Sequence, residues 1–278
     1  MKRSINRLLF ITMLAMTLAF SSVASVGAVP DGRLDGDGHP QVLLLLMEVD
    51  GAPAFRCSGT LIAPTYFLTA GHCAGAPDEF SGMRVFYDSD VQAGIGTTNN
   101  YPFGGGNSVE AVRWAAHPLY PTAPFFVHDV GMVELAEPVP GVTTFGTLPS
   151  VDAFDAWKTR RGQNNVWFTS VGYGLQQSFP TPASFLASNT RTRYVANPKL
   201  IQINVPGFTG DFSLLLSNNA NTGGTCFGDS GGPNFLRDTN VVAGVTSFGL
   251  NSTCGGTGGV FRTDRQDVQD FINDFMGN

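Results

Sequence analysis

Charged side chains are scarce in this chain of 278 residues, of which Asp, Glu, Lys and Arg make up 14%. An average soluble domain has about 25%. Acidic residues outnumber basic ones, 22 against 16, so the formal net charge at pH 7 is −6. Nucleic acids and anionic membranes attract proteins through positive surface charge, which this composition does not supply. We therefore expect neither of them as a partner.

Long apolar runs are absent after the N-terminal segment. The run VLLLLM, residues 42–47, has the length of a strand, whereas a membrane-spanning helix needs about 20 apolar residues. We therefore predict that no segment of the mature chain crosses a membrane.

The N-terminal segment carries the three parts of a secretory signal peptide. Three basic residues within the first seven precede a short apolar run over residues 8–20, and small residues follow, with Ala24 or Ala28 as the candidate cleavage positions. We assign residues 1–28 to the signal peptide, with an uncleaved anchor as the alternative. The mature protein is then secreted into the extracellular space.

Removal of the signal leaves one large acidic chain. Cleavage takes away three basic residues and no acidic ones, so the net charge changes from −6 to −9. The roughly 250 residues that remain fit either one large all-β unit or two domains of ordinary size.

Closely spaced cysteine pairs are also absent. The four cysteines are Cys57, Cys73, Cys226 and Cys254. None of them has the Cys-x-x-Cys spacing of a structural zinc site, so we predict no metal. In an exported protein an even number of cysteines predicts disulfides, and four cysteines allow three pairings.

Helical periodicity is rare, while short apolar segments bounded by Gly, Pro or Asp predict many strands. The chain has 34 glycines and 17 prolines, a composition that suits short strands joined by tight turns. The clearest predicted strands lie in QVLLLLMEV, TLIAPTYFLTA, MRVFYD, VGMVEL, NVWFTSVGYG, KLIQINV and VVAGVTSFG. The predicted fold class is therefore all-β, of the sandwich or barrel type.

One helix is predicted at the C-terminal end. In TDRQDVQDFINDFM, the side chains of Val268, Phe271, Ile272 and Phe275 recur at i, i+3, i+4 and i+7 and share one helix face. Asp264 is the candidate N-cap residue. An amphipathic helix of this kind normally covers a core, so we expect it to pack against a barrel.

Ser230 is the candidate nucleophile. It lies in CFGDSGGP, residues 226–233, among glycines that permit tight backbone turns. A serine hydroxyl needs a base to take its proton, and the base needs a group that holds its tautomer. His72 in LTAGHC and Asp129 in HDVGMVEL supply those residue types. The amides of Gly228 and Ser230 are the candidate oxyanion donors.

Together these segments resemble the trypsin/chymotrypsin-like serine peptidase family, over roughly residues 40–276. The resemblance is carried, in chain order, by CSGTLIAPTYFLTAGHC, HPLY followed by HDVGMVEL, TSVGYG, CFGDSGGP and GVTSFG. It implies two six-stranded antiparallel β-barrels followed by a C-terminal helix, with the active site between the barrels. The first barrel is assigned to residues 29–149 and the second to residues 150–278.

The resemblance also implies the activity. It predicts a serine endopeptidase that hydrolyses protein or peptide substrates through an acyl-enzyme, with no metal or organic cofactor. It favours the disulfide pairs Cys57–Cys73 and Cys226–Cys254, and it gives no sign of an oligomer, so a monomer is expected. The rival hypothesis is a peptidase-shaped binding protein without turnover.

Five residues match the family's primary specificity pocket. They are Gly224, Thr225, Ser247, Gly249 and Gly259. Trypsin-type members carry an acid at the position of Gly224, and this chain has none there. The resemblance therefore predicts an apolar or aromatic residue before the scissile bond (P1), unless variable loops reshape the pocket.

The N-terminal region departs from the family pattern. Many members begin with an Ile-Val-Gly-Gly-like sequence whose ammonium pairs with the Asp next to the nucleophile, here Asp229, and no such start is present. Signal cleavage could expose Val29 for this role. The alternatives are cleavage after Arg33 and an internal partner for Asp229.

Three aspartates interleaved with glycines follow the predicted signal. They are Asp31, Asp35 and Asp37. Their spacing does not fit a calcium-binding loop, so we interpret them as turn residues.

Overall fold

The computed structural model describes residues 30–122, 124, 126–158, 165–205 and 210–278. The predicted signal peptide and Val29 lie outside these residues. None of the helices in the described ranges is long and apolar enough to cross a bilayer. Strands form most of the regular structure.

The elements are numbered along the chain. The strands are β1 (Arg33–Leu34), β2 (Val42–Val49), β3 (Ala52–Leu61), β4 (Tyr66–Thr69), β5 (Gly82–Phe86), β6 (Ser108–Ala116), β7 (Gly131–Leu135), β8 (Phe168–Gly172), β9 (Tyr194–Ala196), β10 (Leu200–Val205), β11 (Gly210–Asn218), β12 (Pro233–Leu236), β13 (Val242–Gly249) and β14 (Gly256–Arg262). The α-helices are α1 (Gly71–Ala74), α2 (Val91–Gly94) and α3 (Gln266–Met276), and 3-10 helices span Tyr120–Thr122, Asp155–Trp157 and Thr181–Leu186.

The first barrel closes through six antiparallel strands in the order β2-β3-β4-β7-β6-β5. Successive side chains of a strand point to opposite faces. On β2, Leu43 and Leu45 therefore enter the barrel core, while Leu44 and Leu46 pack in a separate cluster with Tyr173 outside it. Because β2 is buried on both faces, its sequence is a continuous apolar run.

The second unit is an antiparallel sheet with the order β1-β9-β8-β12-β13-β14-β11-β10. Its far edge returns towards β8, because the Leu200 amide donates to the Val166 carbonyl at 2.9 Å and the Phe168 amide to the Pro198 carbonyl at 2.9 Å. The all-β prediction with two antiparallel units and a C-terminal helix is confirmed. The second unit differs in having eight strands, since β9 and β1 extend the sheet beyond β8.

A buried ion pair fixes the N-terminal strand. Asp35 follows β1, and its carboxylate accepts a hydrogen bond from Arg193 Nε at 2.8 Å, with both side chains almost fully buried. His39 Nδ1 contacts the other oxygen. Burial disfavours the Asp35 carboxylate, but His39 and Arg193 outweigh it and lower its pKa. The Asp35 carboxylate is therefore bound by Arg193 and His39 within the fold.

The C-terminal helix covers apolar surface as its sequence predicts. Val268, Ile272 and Phe275 are buried, and Phe271 is partly buried against the same cluster. Arg113, on β6 of the first barrel, donates to the Phe275 carbonyl at 2.7 Å. The helix thus packs on apolar residues of both units, and Arg113 ties its last turn to the first barrel.

The predicted N-cap of this helix is wrong. The helix begins at Gln266, the cap position is Arg265, and no side chain caps it. The Asp264 carboxylate instead binds the buried Arg262 guanidinium at 2.8 Å and accepts from the Phe154 amide at 2.9 Å. A charge-assisted bond to a buried arginine is stronger than a capping bond to a neutral amide.

Candidate active site

His72 and Asp129 are positioned by the first barrel. β3 and β4 lead into α1, which contains His72, and Asp129 stands just before β7. The Cys57–Cys73 disulfide, with 6.2 Å between the Cα atoms, ties β3 to α1 beside the imidazole. A Cβ at Gly131 would lie 2.6 Å from the Ala74 side chain and 2.7 Å from the Ala70 carbonyl, so only glycine lets β7 approach α1.

The Asp129 carboxylate is fully buried and accepts from three donors. The His72 amide donates to Oδ1 at 2.9 Å, and His72 Nδ1 lies 3.0 Å from Oδ2. The Ser247 hydroxyl donates to the same Oδ2. A proton on Nδ1 leaves the other ring nitrogen, Nε2, as an acceptor. Burial disfavours the imidazolium, but the charge and hydrogen bond of Asp129 outweigh it, so the pKa of His72 is raised.

Ser230 lies in the loop between β11 and β12 and shares a cleft of about 340 Å³ with His72. The loop is anchored to the first barrel, because the Ser58 amide donates to the Ser230 carbonyl at 2.8 Å. Gly231 has a φ of 78°, and a Cβ there would overlap Thr69 Oγ1. The glycine after the serine is therefore required by both the backbone and the close packing.

The two amides predicted as oxyanion donors, those of Gly228 and Ser230, donate no hydrogen bond to other described residues. Gly228 has a φ of 97°, and its carbonyl accepts from the Ser58 hydroxyl at 2.9 Å. The intervening Asp229 amide donates back to the Cys226 carbonyl at 3.0 Å. Within the described ranges, neither the Gly228 amide nor the Ser230 amide donates to another group. Both remain available to a negatively charged oxygen.

Asp229 is a fully buried acid directly before the nucleophile. Its carboxylate accepts from the Gly174 amide at 2.8 Å and from the Cys226 amide at 2.9 Å. Burial raises its pKa to about 7, although the two amides and the charge of Arg56 act in the opposite direction. The carboxylate therefore lacks full compensation of its charge within the described residues.

The second disulfide borders the cleft. Cys226 and Cys254 are bonded with 5.4 Å between their Cα atoms, and both line the cleft. Both predicted disulfide pairs are thus present in the structure, and no free cysteine remains among the described residues.

Three of the five predicted specificity residues line the cleft. These are Thr225, Ser247 and Gly249, which stand with the side chains of Phe227 and Phe248. None of the lining residues that the structure describes carries a carboxylate.

The other two, Gly224 and Gly259, are not among the lining residues because other side chains cover them. A Cβ at Gly224 would overlap the Asn218 carboxamide, which donates to the Thr225 carbonyl at 2.8 Å. A Cβ at Gly259 would overlap the Phe248 ring. Their part in substrate binding stays a prediction.

Asn218 and Phe248 were missed as residues that shape the site. Phe248 stands in the sequence between Ser247 and Gly249, both predicted to line the specificity pocket. This position could have identified Phe248 as a further pocket residue. Asn218 ends β11, and its contact with Gly224 depends on how the loop over residues 219–223 folds back. No local pattern in the sequence predicts that contact.

Comparison with known proteins agrees with this geometry. A family model described as Trypsin matches residues 41–272. The chain is 24% identical over 253 residues to a collagenase of Hypoderma lineatum, covering 89% of this chain and 88% of that protein. It is 29% identical over 207 residues to brachyurin of Leptuca pugilator, covering 72% and 78%.

Solved structures share the fold. HL collagenase matches with a TM-score of 0.64 at 23% identity, over 89% of this chain and 98% of that chain. Human heparin binding protein matches with a TM-score of 0.60 at 19% identity, over 89% and 96%. At these sequence identities the structural similarity establishes the fold alone. The chemistry has to be inferred from the residues of the site.

The two β units with a cleft between them, and the matched family model, define a serine peptidase fold. The chain belongs to the trypsin family. It is a serine-type endopeptidase, and its substrates are proteins or peptides.

Proposed function

We propose that Ser230, His72 and Asp129 form the catalytic triad. The observation that carries this proposal is the buried Asp129 carboxylate bound to His72, whose ring shares one cleft with Ser230. Ser230 Oγ attacks the scissile carbonyl while His72 takes its proton. His72 then gives that proton to the departing amine, and an acyl-enzyme forms. Water, activated by His72, releases the acyl group and restores Ser230.

The remaining groups support this chemistry. The Gly228 and Ser230 amides donate to the oxyanion of the tetrahedral intermediate, where a donor is worth about 3 kcal/mol. Asp129 holds the His72 tautomer and stabilises the imidazolium. Ser247 is a positioning residue, since its hydroxyl fixes the Asp129 carboxylate.

The cleft favours an apolar or aromatic P1 residue. Phe227 and Phe248 border it, and the described lining has no carboxylate to pair with lysine or arginine. Burial of an ammonium without a partner costs several kcal/mol. Each buried methylene of an apolar side chain contributes about 0.8 kcal/mol, so the preference among apolar residues is broad.

Peptides that differ only at P1 test this proposal. We expect kcat/KM for Phe or Leu to exceed that for Lys by about 100-fold.

A Cβ at Gly249 has no neighbour closer than 3.6 Å, so Gly249→Val fits locally and narrows the cleft. This variant should move the preference from Phe towards Ala, whereas Gly255→Val, outside the lining, should not. Equal rates for Phe and Lys in the native enzyme contradict the proposal.

We also propose that the protein is secreted and acts as a monomer after removal of the signal peptide. The two disulfides support secretion, because disulfides form and persist in oxidising compartments.

Pro30, the first described residue, packs against Gly223 in the loop that leads to Ser230. Its carbonyl oxygen would lie 3.0 Å from a Cβ at Gly223. Val29 precedes Pro30 directly in the chain, and the ammonium of a new N-terminus at Val29 is the group we propose to neutralise Asp229.

Sequencing the N-terminus of the secreted, active protein checks this route. We expect the sequence to begin at Val29, because the ammonium of that N-terminus would neutralise the Asp229 carboxylate. A start at Leu34, after cleavage at Arg33, would replace this proposal by a separate zymogen step. An active protein that keeps residues 1–28 would refute the role of the new ammonium.

A further inference from the structure

A second groove borders the oxyanion loop. It has a volume of about 470 Å³, shares none of its lining residues with the cleft of Ser230, and is lined in part by Phe55, Arg56, Ile95, Tyr101, Asn189 and Arg191. Arg56 Nε would lie 3.4 Å from a Cβ at Gly228. The groove therefore begins next to one of the two oxyanion donors.

The groove lies on the side of Ser230 towards which the leaving-group part of a bound peptide extends. The P1 cleft is built by the second sheet and the loop before Ser230. Arg56 is on β3 of the first barrel, two residues before Ser58, which binds both Ser230 and Gly228. A peptide whose acyl side fills the P1 cleft extends past Ser230 towards β3.

The two arginines of the groove have nitrogen atoms without partners. Arg56 uses Nη2 to bind the Asn189 carboxamide, and Arg191 uses Nη1 to bind Gln92 at 2.7 Å. Arg56 Nη1 and Arg191 Nε are both buried, and neither has a hydrogen-bond partner among the described residues. Both of these nitrogens are enclosed by the protein, so a ligand in the groove meets the two arginines through their other guanidinium nitrogens.

The lining of the groove carries positive charge. None of its described lining residues carries a carboxylate. Burial lowers the pKa of Arg56, and the positive charge of Arg191 acts in the same direction, while Tyr101 and the charge of Asp229 oppose them. The Arg191 guanidinium lies over the Tyr101 ring, with 5.0 Å from Cζ to the ring centroid, which fixes its position. An anion between the two guanidinium groups would relieve this repulsion.

We infer that this groove binds an acidic side chain, Asp or Glu, on the leaving-group side of the substrate. The inference rests on the proposed acyl transfer at Ser230, which sets the direction of the bound peptide. A carboxylate in the groove can accept from guanidinium nitrogens of both arginines, which line it. The side chains of Phe55 and Ile95, 59% and 40% exposed, offer apolar contact to neighbouring residues of the same peptide.

Matched peptides test the inference. Each pair has the same acyl side and differs only by Glu or Gln at the first, second or third residue after the scissile bond. We expect kcat/KM for the Glu peptide to exceed that for the Gln peptide by about tenfold or more at one of these positions. Arg191→Gln should reduce this ratio to nearly one. Arg237→Gln, an exposed arginine outside the groove, should leave the ratio unchanged.

Two further measurements separate this inference from the proposed function. The Glu to Gln ratio cancels any general loss of activity, and a p-nitroanilide substrate without residues beyond the scissile bond reports acyl transfer alone. The same peptide pairs are titrated into the Ser230→Ala protein, where a tighter Kd for Glu supports the groove even without hydrolysis. Equal kcat/KM and equal Kd within every pair overturn the inference, as does a Glu preference that Arg191→Gln leaves intact.

Discussion

Replacing Ser230 by alanine is expected to lower kcat for peptide hydrolysis by about 10⁶-fold. The acyl-enzyme cannot form without the hydroxyl, and only the oxyanion donors and the binding clefts remain to act on the substrate. Substrate binding should persist, because the clefts are intact. Single-turnover kinetics with an apolar P1 peptide measure the loss.

The matched control is Ser150→Ala, since Ser150 is exposed and lies outside the cleft. It should keep the native kcat. A Ser230→Ala protein that retains more than about one hundredth of the native kcat would place the nucleophile elsewhere. An equal loss in both variants would point to a folding defect, which unfolding curves of the two proteins would reveal.

Asp129→Asn is expected to lower kcat by about 10⁴-fold near neutral pH. The carboxylate now accepts from His72 Nδ1, whereas an asparagine amide directed at Nδ1 would donate to it. The proton would then move to the other ring nitrogen, Nε2, and the base could no longer accept from Ser230. The fold should survive, because an amide has nearly the shape of the carboxylate.

The pH dependence of kcat/KM gives a second test of the role of Asp129. His72 acts as a base only when neutral, and Asp129 raises its pKa, so native kcat/KM should fall as the pH drops through this raised pKa. Without the charge of Asp129 the pKa of His72 decreases, and the acidic limb of Asp129→Asn should move to lower pH. Asp238→Asn, an exposed control, should keep the native profile. An acidic limb that does not move would show that Asp129 does not set the ionisation of His72.

The candidate triad could be proposed from the sequence alone because each of its residues has a distinct chemical context. His72 stands next to a disulfide cysteine, and Ser230 is followed by Gly231 and preceded two positions earlier by Gly228, both at positive φ. Asp129 is followed by an apolar strand that must be buried. These constraints act over a few neighbouring residues, so a short motif expresses them.

The second sheet could be predicted only in part. β1 has two residues, and its pairing with β9 depends on the ion pair between Asp35 and Arg193, which are 158 residues apart. A strand of two residues has no periodicity to detect. The helix cap failed for a similar reason, since Asp264 has a cap-like sequence position but a stronger partner in Arg262.

The specificity residues show the same limit. Thr225 and Gly249 line the cleft, whereas the contact of Asn218 with Gly224 follows from the path of a loop. The groove with Arg56 and Arg191 joins two segments that are far apart in the chain. Side chains brought together by tertiary structure leave no local signal in either segment.

Covalent labelling shows whether Ser230 is an activated nucleophile. The secreted protein is treated with a fluorophosphonate, whose phosphorus bonds to an activated serine oxygen as fluoride leaves, and mass spectrometry locates the adduct. The account predicts one adduct, on Ser230, and none in His72→Ala, where no base activates the hydroxyl. An adduct on another residue, or no adduct before or after limited proteolysis, would contradict it and favour a peptidase-shaped binding protein.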